Sequence, residues 1–275
     1  MAHLTTVEHF EAWFYRMSTL ALPPPPGLSA ATIALFLDVD GTLVEIEREP
    51  GAVHVPDRLC RILAALEEAT DGALALVSGR SLQQLDQLFS PLRLSAAGLH
   101  GLERRKPAGQ VVRAAPDPAI LAAARRRLGA FAAEHEGVML EDKGLTLALH
   151  YRKAPEQQAA ATALVRDVVA ASAGALMLLE GKMVLELKPP GCDKGQAIAA
   201  YMAEPPFVGR RAVFAGDDVT DEAGFALVNR IGGVSIRIGA DQRPSAASYG
   251  HQDVGAMQSW LVSLLGPAAA SARPA

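Results

Sequence analysis

Cysteine is nearly absent: Cys60 and Cys192 are the only two in 275 residues. Two thiols supply neither a disulfide framework nor a four-ligand zinc cluster. Both are expected to be small packing residues, Cys60 within a helical pattern and Cys192 near a candidate site. An excess of positive charge is also lacking. With 26 basic and 30 acidic residues the net charge is −4, which offers no electrostatic footprint for nucleic acid or an anionic membrane surface. No apolar run approaches the ~20 residues of a membrane span. The first residues carry Glu8 and Glu11 without a basic region followed by an apolar core, so no secretory signal is expected. A cytoplasmic location is the resulting expectation. There is no internal repeat. What remains is an ordinary soluble globular composition, half hydrophobic and one-fifth charged, long enough for one large or two modest domains of about 100–200 residues each.

Along the chain, residues 5–20 carry Phe10, Trp13, Phe14, Met17 and Leu20 at helical spacing, and Pro23 to Pro26 then form a stiff linker. From Ile33 apolar strands alternate with helices, which predicts a parallel sheet with right-handed crossovers. Strands are expected at Ile33–Leu37, Ala73–Val77, Leu94–Ala97, Arg211–Ala215 and Val234–Ile238. Helices are expected at 58–69, 81–89, 194–202, 221–228 and 253–265. The texture changes after Glu103. Residues 107–118 are polar and Pro-rich, a candidate hinge or hairpin. Two helices (120–136 and 155–171) and two pairs of short strands (138–141 with 146–151, 175–179 with 183–187) follow in the order helix, strand, strand, helix, strand, strand. That order describes a compact α+β unit inserted into the first domain.

Four segments put reactive groups at the carboxyl ends of strands, where open α/β sheets place their ligands. The buried run Ile33–Leu37 ends in Asp38-Val39-Asp40-Gly41. Positions i and i+2 of an extended chain share a face, and Gly41 allows a sharp turn. Two carboxylates there need compensation, which a hard divalent cation such as Mg²⁺ would supply; a solvated Asp-rich turn is the plain alternative. Ser78 closes the second strand and can offer a hydroxyl and an N–H to an anion. Lys194 opens a helix as a point charge suited to phosphate. Asp217 and Asp218 follow the strand ending at Ala215, with Asp221 and Glu222 just beyond. Singly, each is also the signature of a turn, a surface lysine or a helix cap; the ordered set of four is far more specific.

Asp38-Val39-Asp40-Gly41-Thr42-Leu43, Ser78-Gly79-Arg80, Lys194-Gly195 and Gly216-Asp217-Asp218 resemble the four motifs of the haloacid dehalogenase superfamily of phosphatases, over about Ile33–Leu265. Within it, Gly98-Leu99-His100-Gly101-Leu102-Glu103, Glu141-Asp142-Lys143-Gly144, His150-Tyr151-Arg152, Gly181-Lys182 with Glu186-Leu187-Lys188-Pro189, and Gly216 to Glu222 resemble the trehalose-6-phosphate phosphatase branch. Leu99-His100-Gly101-Leu102 departs from that branch's common Ser-His-Gly-Ala. The resemblance implies an α/β fold, a Rossmann-like parallel-sheet core carrying an inserted α+β cap. It divides the chain into a helix and linker (1–27), a core (28–105 and 188–266), a cap (106–187) and a disordered tail (267–275).

The resemblance implies that Asp38 is the nucleophile, forming an aspartyl-phosphate, and that Asp40 is the acid and then the base. Ser78 and Lys194 would cradle the phosphoryl oxygens. Mg²⁺ would be held by Asp38, the Asp40 carbonyl and Asp217, with Asp218 a further ligand or an orienting neighbour. Glu141, Lys143, Arg152, Lys182 and Glu186 of the cap, with His100 and Glu103 at its hinge, would bind the sugar. Arg80 would brace the second motif. The expected partner is a small sugar phosphate, with no nucleic acid or membrane; the N-terminal helix is expected to dock on its own chain, with a protein partner met through it as the alternative. The alternatives are a sucrose-6-phosphate or mannosyl-3-phosphoglycerate phosphatase with the same chemistry, or a non-catalytic sugar-phosphate sensor. The presence of Asp38, Asp40, Lys194 and Asp217 speaks against the sensor.

Overall fold

The computed structural model describes residues 22–47, 53–114, 117–181, 183–240 and 243–266. The expected helix at 5–20, the tail from 267 and the candidate sugar ligand Lys182 lie outside them.

The chain opens with β1 (Ile33–Leu37), all five of whose residues are buried. Then come α1 (Asp57–Ala69), β2 (Leu74–Val77), α2 (Leu82–Leu88), β3 (Ser95–Gly98), β4 (Glu103–Arg105) and β5 (Val111–Arg113). The insert consists of α3 (Pro118–Glu134), β6 (Met139–Asp142), β7 (Leu147–His150), α4 (Gln158–Ala171), β8 (Met177–Gly181) and β9 (Val184–Lys188). The chain then returns through α5 (Lys194–Met202), β10 (Arg211–Gly216), α6 (Glu222–Arg230), β11 (Val234–Ile238), β12 (Tyr249–His251) and α7 (Val254–Leu264).

Eight strands form one sheet in the order β12-β11-β10-β1-β2-β3-β4-β5. The six from β12 to β3 run parallel, and the β4–β5 hairpin adds antiparallel at one edge. The sheet is buried on both faces, and β1 shows why its sequence is uninterruptedly apolar. Ile33, Leu35 and Leu37 pack into the layer that holds α1 and α7, whereas Ala34 and Phe36 pack into the opposite layer with α5 and α6. Each large side chain fully buried in this way contributes about 1.5–3 kcal/mol. Chain order reverses at β1, with β2 on one side and β10 on the other, and that reversal point is where ligands bind in such sheets.

The insert forms its own four-stranded antiparallel sheet, β6-β7-β9-β8, whose apolar face is covered by Leu121, Leu128, Ala161 and Val165 of α3 and α4. Its boundary differs from the sequence expectation. The segment after Lys106 returns as β5, so the cap proper starts near α3 rather than at residue 106. Of the two readings of the Pro-rich stretch, hinge or hairpin, part of it forms the hairpin strand β5, and charged side chains such as Arg104 and Arg113 are common on the edge strands of a sheet. The buried Arg105 guanidinium donates to the Leu94 carbonyl at 3.0 Å and pairs with Asp86, and Tyr201 Oη donates to the Arg105 carbonyl at 2.7 Å. Among the described residues no helix is long and apolar enough to cross a membrane.

Candidate active site

β1 delivers Asp38 to the centre of the reversal point, where its backbone N–H donates to the Ala215 carbonyl of β10 at 2.9 Å. The side chain is buried and faces Lys194, the first residue of α5, at 2.8 Å. Lys194 also pairs with Asp221 at 2.6 Å. Asp221 closes a short 3₁₀ turn, Val219–Asp221, and its second oxygen accepts the backbone N–H groups of Asp217 (3.0 Å) and Asp218 (2.9 Å). This turn folds the acidic run back on itself and aims the Asp217 carboxylate across Gly41. Gly41 has φ +80°, and a Cβ there would lie 2.1 Å from Asp217 Oδ2, so both the turn and the close approach require glycine.

Carboxylate oxygens of Asp38, Asp217 and Asp221 lie within 4.8 Å of one another. Burial raises the Asp38 pKa well above the ordinary value; Lys194 opposes this, and the Asp221 and Asp217 charges add to it. Burial and Asp221 push Asp217 up to about 7. Burial alone would depress the Lys194 ammonium, but Asp221 and Asp38 raise it overall. Three crowded carboxylates against one ammonium, all with oxygen donors, form a set that fits a hard divalent cation. Of the two roles left open for Asp218, its contacts point away from direct ligation. Asp218 caps the 3₁₀ turn through Val219 N–H (2.7 Å) and lies 3.5 Å from Arg243, while Asp221 occupies the cluster. Sequence spacing alone did not separate these carboxylates; the turn after Asp218 does.

Asp40 sits at the cleft mouth in a bidentate pair with Arg80, Nε to Oδ2 and Nη2 to Oδ1 both at 2.7 Å. Arg80 therefore does more than brace its own motif. Ser78 ends β2, is buried, and accepts the Arg80 N–H on its hydroxyl at 3.2 Å. The next turn begins α2 through a reciprocal cap in which Gln84 N–H donates to Ser81 Oγ and Ser81 N–H to Gln84 Oε1. His100 reaches the same spot by an unusual route. Leu99 and His100 both have positive φ, 51° and 55°, which few non-glycine residues adopt. The imidazole lies so close to Gly79 that a Cβ there would be 2.8 Å from the ring.

The cap supplies the opposite wall. Its sheet register places Glu141, Ala148, Glu186 and Leu179 in one row. Glu186 is buried, with Lys143 Nζ and His100 Nε2 each 3.4 Å from the same oxygen. Burial would raise the Glu186 pKa, but Lys143 and the His100 hydrogen bond bring it well below the usual range. Burial lowers the His100 pKa, with the Glu186 carboxylate opposing the shift. Glu141 is held by Gln84 Nε2 at 2.8 Å and His150 Nε2 at 2.9 Å. These bonds and the Lys143 charge outweigh burial and lower its pKa to about 2. Arg152 Nη1 donates to the Glu47 carbonyl at 2.8 Å, and Lys143 Nζ to the Gly79 carbonyl at 3.3 Å. A cavity of about 230 Å³ lies between the walls. Asp38, Asp40, Ser78, His100, Lys194 and Asp217 line it from the core; Glu141, Lys143, Arg152 and Glu186 line it from the cap.

Of the expected sugar ligands, Glu103 is elsewhere. It is buried on β4, where Oε2 accepts Leu82 N–H and Oε1 accepts Arg113 Nε, both at 2.9 Å. It tethers the start of α2 and does not line the cavity. Gln84, outside the quoted motifs, and His150, quoted in a motif but given no role, do line it. Gln84 was visible as the fourth residue of a Ser-x-x-Gln capping box.

A parallel sheet with a buried carboxylate at the reversal point, a helix-opening lysine, a carboxylate cluster on the neighbouring strand and a cap over the cleft make up the fold, which superposes on a solved phosphatase of the haloalkanoate (HAD) superfamily from Bacteroides thetaiotaomicron with a TM-score of 0.58 at 16% identity, covering 86% of this chain and 95% of that chain. The chain matches the family described as Trehalose-phosphatase over residues 36–255, and it belongs to that family of phosphoric monoester hydrolases. It is 45% identical over 243 residues to the trehalose-6-phosphate phosphatase of Escherichia coli, covering 88% of this chain and 90% of that one. It is 48% identical over 206 residues to a Sinorhizobium fredii protein described as "Probable trehalose-phosphate phosphatase", covering 75% and 77%. A solved structure of a trehalose-6-phosphate phosphatase related protein superposes with a TM-score of 0.71 at 26% identity, covering 84% of this chain and 95% of that chain.

Proposed function

We propose that this protein hydrolyses trehalose 6-phosphate to trehalose and phosphate through an aspartyl-phosphate on Asp38, with Mg²⁺ as cofactor. The observation that carries the chemistry is the buried Asp38–Lys194–Asp221 chain at the carboxyl ends of β1 and β10. Asp38 Oδ1 is engaged by Lys194, which leaves Oδ2 to form the bond to phosphorus as the bond to the sugar oxygen breaks. Asp40 gives the leaving oxygen a proton, then takes one from the water that attacks phosphorus and releases Asp38 and inorganic phosphate. Arg80 holds the Asp40 carboxylate in place between these steps. Ser78 and Lys194 offer donors to the phosphoryl oxygens where charge accumulates. Asp38 and Asp217 would hold Mg²⁺, with Asp221 beside them. When bound, the cation screens phosphoryl charge and favours ionised Asp38.

The substrate assignment rests on the cap wall and on the family relatives. Glu141, Lys143, Arg152 and Glu186 give charged groups in a desolvated cleft, as discrimination among sugar hydroxyls requires. Lys182 and His100 belong to the same proposal. Phosphate release from trehalose 6-phosphate, sucrose 6-phosphate and glucose 6-phosphate tests it. Preference for the trehalose ester is expected. Preference for another ester would keep the chemistry and overturn the substrate, and binding without turnover would favour a sensor.

A further inference from the structure

We propose that Gln84 is a positioning residue that sets Glu141 for the sugar and ties the cap to the loop that binds phosphate. The proposal rests on the reading of Glu141 as a sugar ligand. Gln84 has both ends of its amide committed. Ser81 N–H can only donate, so the atom it meets at 2.8 Å is the Gln84 oxygen. That fixes the amide orientation and leaves Nε2 to donate to Glu141 Oε1 at 2.8 Å. Gln84 lies in the first turn of α2, and the segment before it is Ser78-Gly79-Arg80. A single side chain thus links the cap sheet to the turn that carries Ser78. The other Glu141 oxygen is held by His150 from the cap itself at 2.9 Å. Each oxygen keeps a lone pair for a hydroxyl donor, so the carboxylate is fixed without being used up. Held between one core donor and one cap donor, Glu141 takes its working position only when the cap is docked. Gln84 makes no contact with the reacting phosphate in this scheme; it acts through Glu141.

The substitution Gln84→Glu separates this role from helix capping. Glutamate completes a Ser-x-x-Glu capping box as well as glutamine does and suits a helix N-terminus, so α2 keeps its cap. It removes the donor to Glu141 and sets two carboxylates against each other. With the full chain and Mg²⁺, KM for trehalose 6-phosphate is expected to rise about tenfold more than KM for p-nitrophenyl phosphate, and kcat to change by less than about threefold. Gln84→Met, which loses both bonds, should shift the KM ratio in the same direction by a smaller factor. An unchanged KM ratio in Gln84→Glu with an unchanged melting temperature would overturn the proposal and leave Gln84 as a helix cap alone. Equal losses on both esters would overturn it as well. The parent enzyme's own ester preference is read in the same assays. If a different sugar phosphate is preferred, the substrate reading fails, and the same ratio measured with that ester still decides the role of Gln84.

Discussion

On the core side of the cleft, burial and neighbouring carboxylates push Asp38 and Asp217 upward, Asp217 to about 7. On the cap side Glu186 is buried and Glu141 half-buried, yet His150, Gln84, Lys143 and His100 hold both carboxyls below the usual range. The two walls use the same functional group for different ends. The core crowds like charges, an arrangement that favours a cation and a phosphoryl group as counterparts. The cap pairs each carboxylate with its own donors, so it stays ionised and directional toward neutral hydroxyls. On the proposed function, chemistry and recognition would be separated by charge balance as well as by domain.

The comparison breaks most sharply at Asp38. Asp38→Asn should lower kcat by about 10⁴-fold or more while the fold persists. Steady-state assays with thermal melts check this, and activity within tenfold of the parent would dismiss the nucleophile. Next is Lys194→Met, which leaves Asp38 and Asp221 buried without their shared ammonium. A loss of about 3–5 kcal/mol is expected, measured by denaturant unfolding.

How legible these walls were in the sequence follows the same division. The core carboxylates were easier to place because β1 and β10 are continuous apolar runs, so their ends point to Asp38 and Asp217, although each alone reads equally as a turn or a cap. The step from Asp217 to its neighbours was not readable. Among Asp217, Asp218, Asp221 and Glu222, a 3₁₀ turn chooses the partner of Lys194, and spacing does not encode that turn. β12 was missed because Tyr249-Gly250-His251 has neither length nor alternation; it exists by pairing with β11. Its Gly250 N–H also donates to the Pro23 carbonyl at 3.0 Å. Glu103 looked like a hinge ligand, but its side chain turns toward Leu82 and Arg113. On the cap the charged residues were visible, whereas their pairing across β6, β7 and β9 depended on a register that single-sequence patterns do not give.

Smaller effects sharpen the cap side. Glu186→Gln removes the charge that Lys143 and His100 face, and KM for the disaccharide ester should rise about tenfold with a lesser change for an aryl phosphate. Comparable losses on both esters would assign Glu186 to the core chemistry instead. The slightest effect is in acid. The folded Glu141 carboxyl titrates at about 2 against an ordinary 4.5, so its contribution to stability is complete above pH 4.5 and fades as pH falls toward 2. Thermal melts of Glu141→Gln should show a shallower pH dependence than the parent across that window; parallel curves would remove Glu141 from the balance.

The most direct test of the division is phosphate release from trehalose 6-phosphate after metal is stripped by a chelator and Mg²⁺ is then restored. Turnover is expected to vanish on stripping and return with Mg²⁺. Undiminished release from the stripped enzyme would contradict the account, because the crowded carboxylates at the ends of β1 and β10 would then work without the cation proposed for them.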